Sequence, residues 1–301
     1  MSIATSLPAA ISLPHRGGQR SLPLLIIALG GSLTGFSGIL MRISETGPLA
    51  TGGWRLGIAA LTFLPLALLT NGQKKALNPQ GTAILILAGV FFACDIAFYH
   101  LSLTLTSIAH STLIVNLAPV VALGAGVMFF AESLTAAKIA GTIVALGGAV
   151  LMTSIRAHAS GTLEGNALAT LSMIAYALYL IAVKHARHKH STLAIMIWSS
   201  ATAAICLFLA AALAGERLVP ISVNGWAIVI AMGFVTHVLG QGLIAFGMRE
   251  APIGLASILL LTQPLVAAVM AWPMFGERLG PWEIVGAGFV LLGLGLASRT
   301  N

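Results

Sequence analysis

Two stretches of the chain, Pro119–Gly148 with the sequence PVVALGAGVMFFAESLTAAKIAGTIVALGG and Pro264–Gly293 with PLVAAVMAWPMFGERLGPWEIVGAGFVLLG, superimpose without a gap at a shift of 145 residues. Pro119 falls on Pro264, Val121 on Val266, Ala122 on Ala267, Phe130 on Phe275, Glu132 on Glu277 and Leu134 on Leu279. The match continues with Ile139 on Ile284, Gly141 on Gly286 and Gly148 on Gly293. Shared apolar composition supplies some identities, but a proline, a glutamate and two glycines at fixed spacing mark an internal repeat. Trp54 and Trp198 match at a shift of 144, and the basic residues Arg42 and Lys184 at 142, which extends the repeat toward the amino terminus.

Outward from these stretches, the 301 residues are 58% hydrophobic and 8% charged, with a mean hydropathy of +0.99. That leaves too few polar residues to coat a water-soluble globule, so the solvent is lipid. At roughly 20 apolar residues per crossing, polar, glycine and proline punctuation gives ten spans. They lie at 22–43, 48–70, 81–103, 107–130, 135–155, 163–185, 191–213, 224–247, 253–274 and 281–298. Five spans per repeat is an odd number, so the second half enters the membrane from the opposite side. The expected fold is therefore all-α and integral to the membrane, with ten transmembrane helices as two inverted five-helix repeats around a central cavity. Inverted repeats suit alternating access, because two near-equivalent halves can exchange conformations around a site between them. The divisions expected are a cytoplasmic tail at 1–21, a first repeat at 22–155, a linker at 156–162 and a second repeat at 163–299.

The net charge of +7 is spread singly or in pairs between apolar runs, with no basic stripe, so no nucleic-acid partner is expected. With the amino terminus inside, ten of the fifteen Lys and Arg collect there, from Arg16 and Arg20 to Arg249 and Arg299. Arg42, Arg55, Arg156, Arg217 and Arg278 fall outside, although Arg55 can also be placed within the membrane. The bias puts both termini in the cytoplasm of a bacterial-type inner membrane. Cys94 and Cys206 sit inside apolar runs and read as packing residues rather than a disulfide or zinc site.

Two copies of a span carrying proline, glutamate thirteen residues on, then glycines nine and sixteen residues beyond, resemble the repeat of the EamA type in the drug/metabolite transporter superfamily. The resemblance covers about 22–299. It implies a ten-helix exporter of amino acids, metabolites or drugs with both termini cytoplasmic, and within that group the chain is similar to aromatic amino-acid exporters. Direction of transport rests on the resemblance alone.

Ionisable groups inside a span are costly and normally face a cavity or a partner. Asp95 lies mid-way along the third span with Phe91 and Tyr99 at four-residue spacing, and His237 and Gln241 share a face of the eighth. The functional reading makes Asp95 the partner of a substrate ammonium or the carrier of a coupling proton. The plain alternative is an interhelical hydrogen bond, and for His237 a neutral imidazole on a backbone carbonyl. Asn116 and Pro119 in the fourth span are matched in depth by Gln263 and Pro264 in the ninth, where proline frees the carbonyls of Val115 and Leu260 for substrate or for a kink. Tyr176 and Tyr179, with Ser172, form a face of the sixth span that would suit an amphipathic substrate. Glu132 and Glu277 read as caps or loop anchors before the fifth and tenth helices. Gly141, Gly148, Gly286 and Gly293 read as close helix contacts, within the chain or at a homodimer face; monomer and homodimer both stay open.

No Walker, HExxH or GxSxG sequence and no paired catalytic carboxylates occur, so a non-enzymatic, gradient-driven carrier without cofactor is expected, its partners a small-molecule substrate and membrane lipid. Rival readings are a proton-independent facilitator, a divalent-metal carrier using Asp95, His100, His110 and His237, and an intramembrane lipid enzyme.

Overall fold

The computed structural model describes residues 21–69, 81–105, 111, 114–154, 162–275 and 280–298, and the side chains of 21, 153, 154, 268 and 271–275 are left out of that description. The proposed tail, the linker up to 161, His110 and Glu277 lie outside the described residues, as does the Trp272 side chain. Among the described residues every regular element is a helix. Seven helices, from Leu22–Arg42 to Pro281–Ser298, are long and apolar enough to cross a membrane, and Ala118–Phe130, Ala136–Met152 and Ile253–Ala267 are shorter apolar ones. Together they make the ten expected crossings of a multi-pass membrane protein. Large apolar side chains such as Met128, Phe129, Leu213 and Phe289 stay exposed on the outside of the bundle, which is stable only against lipid tails.

Among the described residues four spans depart from a continuous α-helix, three of them through a break. The first is interrupted at Gly35, between Ser21–Thr34 and Phe36–Arg42. In the fourth, turn residues Asn116 and Leu117 precede Ala118–Phe130, with Pro119 in the opening turn of that helix. In the ninth, Ile253–Leu259 gives way at Leu260 and Leu261 to Thr262–Phe275, with Pro264 again in the first turn. Proline suits such a start because its missing N–H has no partner there anyway. The eighth span changes winding instead: Met232–Gln241 is a π-helix between Val223–Ala231 and Gly242–Gly247.

The neighbours of each span reproduce the inverted repeat. The second span packs on the seventh, the fourth on the ninth and the fifth on the tenth. The third lies on the sixth as the first lies on the eighth, and the third on the seventh as the second lies on the eighth. Fourth on sixth matches first on ninth. Exchanging each span with its counterpart five places along maps this set onto itself, as a twofold in the membrane plane requires.

The fifth and tenth spans meet through the repeated glycines. A Cβ on Gly148 would lie 2.5 Å from the Gly286 carbonyl, and one on Gly293 would lie 2.4 Å from the Ala145 nitrogen. The helices touch backbone to backbone, so these four glycines pack within the chain.

Candidate functional site

A polar cluster occupies the centre of the bundle, where spans of the two halves meet. The Ser172 hydroxyl on the sixth span donates to Asp95 Oδ1 on the third at 2.7 Å, and both residues are buried. Arg55 on the second span reaches the same region. It follows Pro48, the first residue of its helix, by seven residues, or about 10 Å of helical rise. The residue is 7% exposed; its guanidinium interacts electrostatically with Asp95, donates from Nη1 to Ser37 Oγ at 2.8 Å and stands 5.7 Å from the Phe92 ring centroid. The five arginines assigned outside by charge counting are thus four at most, and Arg55 is an intramembrane residue.

Aromatic rings run beside these charges. Phe92 stacks on Tyr179 at 4.5 Å between centroids, Tyr179 stacks on Tyr176 at 6.1 Å, and the His237 ring lies 5.4 Å from Phe92. Gln241, on the π-helical segment, lies beside both tyrosine hydroxyls, and Gln263 beside that of Tyr176. Yet Tyr179 Oη, Gln241 Nε2, His237 Nδ1, Asn116 Nδ2 and Arg55 Nε are buried without a hydrogen-bond partner. Such groups are rare in folded proteins and costly where water is absent. Five of them around one centre describe a surface shaped for something other than itself.

Asn116, Pro119, Tyr176 and Gln263 line a void of about 30 Å³ together with Ser257, Leu260 and neighbours on the fourth, sixth and ninth spans. That is room for a water or two and far below the hundreds of cubic ångströms of a typical ligand pocket. The void as it stands is too small for a substrate. Pro264 is buried but does not line the void, and Tyr99 stands one turn beyond Asp95 with its ring 5.9 Å from His100.

Several expectations need correcting. The Leu260 carbonyl is not left free by Pro264, since the Gln263 N–H donates to it at 3.0 Å. His237 pairs with the Ser200 hydroxyl at 2.9 Å through Nε2, not with a backbone carbonyl. His100 Nδ1 donates to the Pro48 carbonyl at 2.8 Å. Among the described residues no three His, Cys, Asp or Glu side chains converge as metal ligands would. Glu132 is a cap, but for the ninth span rather than the fifth: its carboxylate accepts from the Ile253 N–H at 2.5 Å and the Gly254 N–H at 3.2 Å.

That cap is one of several ties between the halves. On the same face, but within the second half, Lys184 Nζ donates to the Met248 and Ala251 carbonyls at 3.1 and 2.5 Å. On the far face, Glu216 accepts from the Leu49 and Ala50 N–H groups at 3.3 and 2.9 Å. Glu45 accepts from the Ile221 and Ser222 N–H groups at 2.9 and 3.0 Å and from the Ser222 hydroxyl at 2.5 Å. These bonds, that from the Ser222 hydroxyl first, hold the Glu45 carboxyl below the usual glutamate range. Trp54 Nε1 donates to the Leu218 carbonyl at 2.7 Å, and its ring meets Trp226 edge to face. Carboxylates thus sit on the N-terminal ends of helices from the opposite half, where unpaired N–H groups and the dipole favour negative charge.

Sequence reasoning overlooked Arg55 and Phe92 as parts of the site. A charge seven residues inside an apolar span was a signal for the first. Nothing distinguishes Phe92 from the other phenylalanines.

Comparison with known proteins agrees with this architecture. The family model for the EamA-like transporter family matches residues 21–154 and 163–299. An uncharacterized transporter of Archaeoglobus fulgidus is 25% identical over 273 residues, covering 91% of this chain and 95% of its own length. The uncharacterized transporter YyaM of Bacillus subtilis is 23% identical over 293 residues, covering 93% and 95%. A solved crystal structure superimposes with a TM-score of 0.81 at 19% identity, covering 94% of this chain and all of that one, a likeness of fold.

Proposed function

Because the chain belongs to the EamA-like transporter family, we propose that it works by alternating access and exports amino acids, aromatic ones among them, or similar small amphipathic metabolites. The membrane in this reading is a bacterial-type inner membrane with both termini in the cytoplasm. The observation that carries it is the buried cluster of Arg55, Asp95 and partnerless polar atoms beside stacked rings, at the interface the two halves share. An amphipathic zwitterion offers an ammonium for Asp95, hydrogen-bonding groups for the orphaned atoms and an apolar part for the rings. With a void of about 30 Å³, entry requires the halves to move apart on one face while the other stays tied.

In this reading Asp95 also carries the coupling proton: one carboxylate serving proton and substrate in turn makes export draw on the proton gradient. A facilitator without proton coupling is the second reading, favoured by the Ser172 hydroxyl donating to Asp95, which suits an ionised carboxylate. Labelled phenylalanine and threonine in liposomes, with and without a pH gradient, separate the two. Gradient-driven accumulation lost in Asp95→Asn supports coupling. Equilibration indifferent to the gradient makes the protein a facilitator, and no movement of either amino acid removes the substrate assignment.

A further inference from the structure

We propose that Arg55 is the carboxylate-binding residue of the transport site, so that the substrates are carboxylate-bearing compounds rather than amines or neutral amides. The inference rests on the amino-acid reading above and narrows it.

Arg55 is a cation in the lipid-embedded centre with its charge incompletely answered. Among the described residues no carboxylate lies within the 4.0 Å of an ion pair, since Asp95 takes its hydrogen bond from Ser172 across the interface. The guanidinium has one hydrogen bond, to Ser37, and the face of Phe92, while Nε has no partner. Arg187, at the end of the sixth span, also has a partnerless Nε, but its Nη1 donates to the His190 carbonyl; the buried lysines are arranged differently. Lys184 donates to two backbone carbonyls and Lys138 to the Ser133 carbonyl, so each is held by the fold itself. A guanidinium left with an open edge is the group best matched to a carboxylate, which it can grip through two parallel hydrogen bonds.

The surroundings agree with an anion arriving there. Tyr179 Oη and Gln241 Nε2 can both donate, and neither has a hydrogen-bond partner. The guanidinium stands 5.7 Å from the Phe92 ring centroid and Phe92 stacks on Tyr179, so a ligand held by Arg55 would have its apolar part near the stacked rings. Asp95 on the neighbouring span then faces a substrate ammonium. The pseudo-twofold supplies no second such cation: the 144-residue shift that pairs Trp54 with Trp198 sets Ser199 opposite Arg55. One carboxylate per protein follows.

The test uses four matched compounds on the full-length protein: phenylalanine, 3-phenylpropionate, phenylalanine amide and phenethylamine. Each is scored by competition with labelled phenylalanine in liposome counterflow and by the shift in thermal unfolding of the detergent-purified protein. We expect the two acids to compete and to raise the unfolding temperature, with the amide and the amine weaker by roughly tenfold or more, as for a site whose buried polar group is left unpaired. Arg55→Gln should abolish that preference, and Arg55→Lys should keep it with weaker binding. Acids and amides competing equally in the wild type would overturn the Arg55 assignment while leaving amino-acid transport standing. Failure of all four compounds, with labelled phenylalanine itself immobile, would overturn the underlying reading and the assignment with it. The wild-type comparison decides the matter even if Arg55→Gln fails to fold.

Discussion

The two halves of the bundle follow one plan but contribute unlike chemistry to the centre. The first brings the charges, Arg55 and Asp95; the second brings neutral groups, Ser172, Tyr176, Tyr179, His237, Gln241 and Gln263. At the shift of 144 that pairs Trp54 with Trp198, Ser199 stands where the first half has Arg55, and at 145 Gly240 stands where it has Asp95. The third span is a continuous α-helix over Ala83–Leu105, whereas its counterpart is wound as a π-helix over Met232–Gln241, a winding often found at functional sites. A symmetric backbone provides two exchangeable conformations. In the reading proposed above, the unequal lining keeps a charged ligand with the first half while the second moves past it.

The strongest way to break this comparison is to remove a charge. Asp95→Asn keeps the volume and an acceptor for Ser172 but removes the carboxylate offered to a substrate ammonium; loss of one partner of such a buried charge pair costs about 2–5 kcal/mol, or roughly 30-fold and upward in substrate transport. Counterflow in liposomes measures it. Adding Gly240→Asp should not restore transport, because a Cβ there would lie 2.8 Å from Thr34 Cγ2, so the second half cannot take over the charge. Rescue by the double variant would show the halves to be chemically interchangeable.

Glycines of the fifth span sharpen the contrast between shared plan and local chemistry. Gly148→Leu forces a side chain into the Gly286 carbonyl and should destabilise by about 1–3 kcal/mol or more, whereas a Cβ at adjacent Gly147 meets nothing within 4 Å, so Gly147→Leu should stay within about 0.5 kcal/mol. Thermal unfolding in detergent compares them. The ties between halves should come next: Glu132→Gln and Glu216→Gln each weaken a charged acceptor on two backbone N–H groups, an effect of about 1–2 kcal/mol or less on the same scale.

The smallest effect concerns Glu45 and acid. Its folded carboxyl titrates lower than the ordinary glutamate value of about 4.3, so its contribution is fully present above that value and is lost as pH falls through the depressed one. Glu45→Gln should therefore flatten the acid limb of the unfolding profile below about pH 4.3 and leave the neutral limb parallel to wild type. A profile unchanged in slope would show that the Ser222 bonds do not tune this carboxyl.

Much of the fold was legible because lipid enforces it: apolar runs of spanning length, an odd count per repeat and glycines at seven-residue spacing each have one physical outcome. The breaks in the fourth and ninth spans were legible from Pro119 and Pro264 for the same reason. Less of the site could be read. Counting charges placed Arg55 with loop residues, and the burial that gives it meaning comes from spans far away in sequence. Glu132 finds its partner 121 residues on, across the pseudo-twofold, where helix-dipole reasoning looks only to the next helix. Nothing in MGFVTHVLGQ announces a π-helix, since the winding follows from packing: a Cβ on Gly233 would press on Ile58 and one on Gly240 on Thr34.

The contact between the fifth and tenth spans also has a bearing on biosynthesis. The tenth span is the last to leave the ribosome, and its chief neighbour was made 145 residues earlier, on the order of ten seconds before at ordinary rates of synthesis. Through that interval the glycine face of the fifth helix has no mate and lies open to lipid or to insertion factors. Nascent chains stopped short of Pro281 should accordingly be inserted yet remain open to degradation, and the bundle is completed only as its final helix docks.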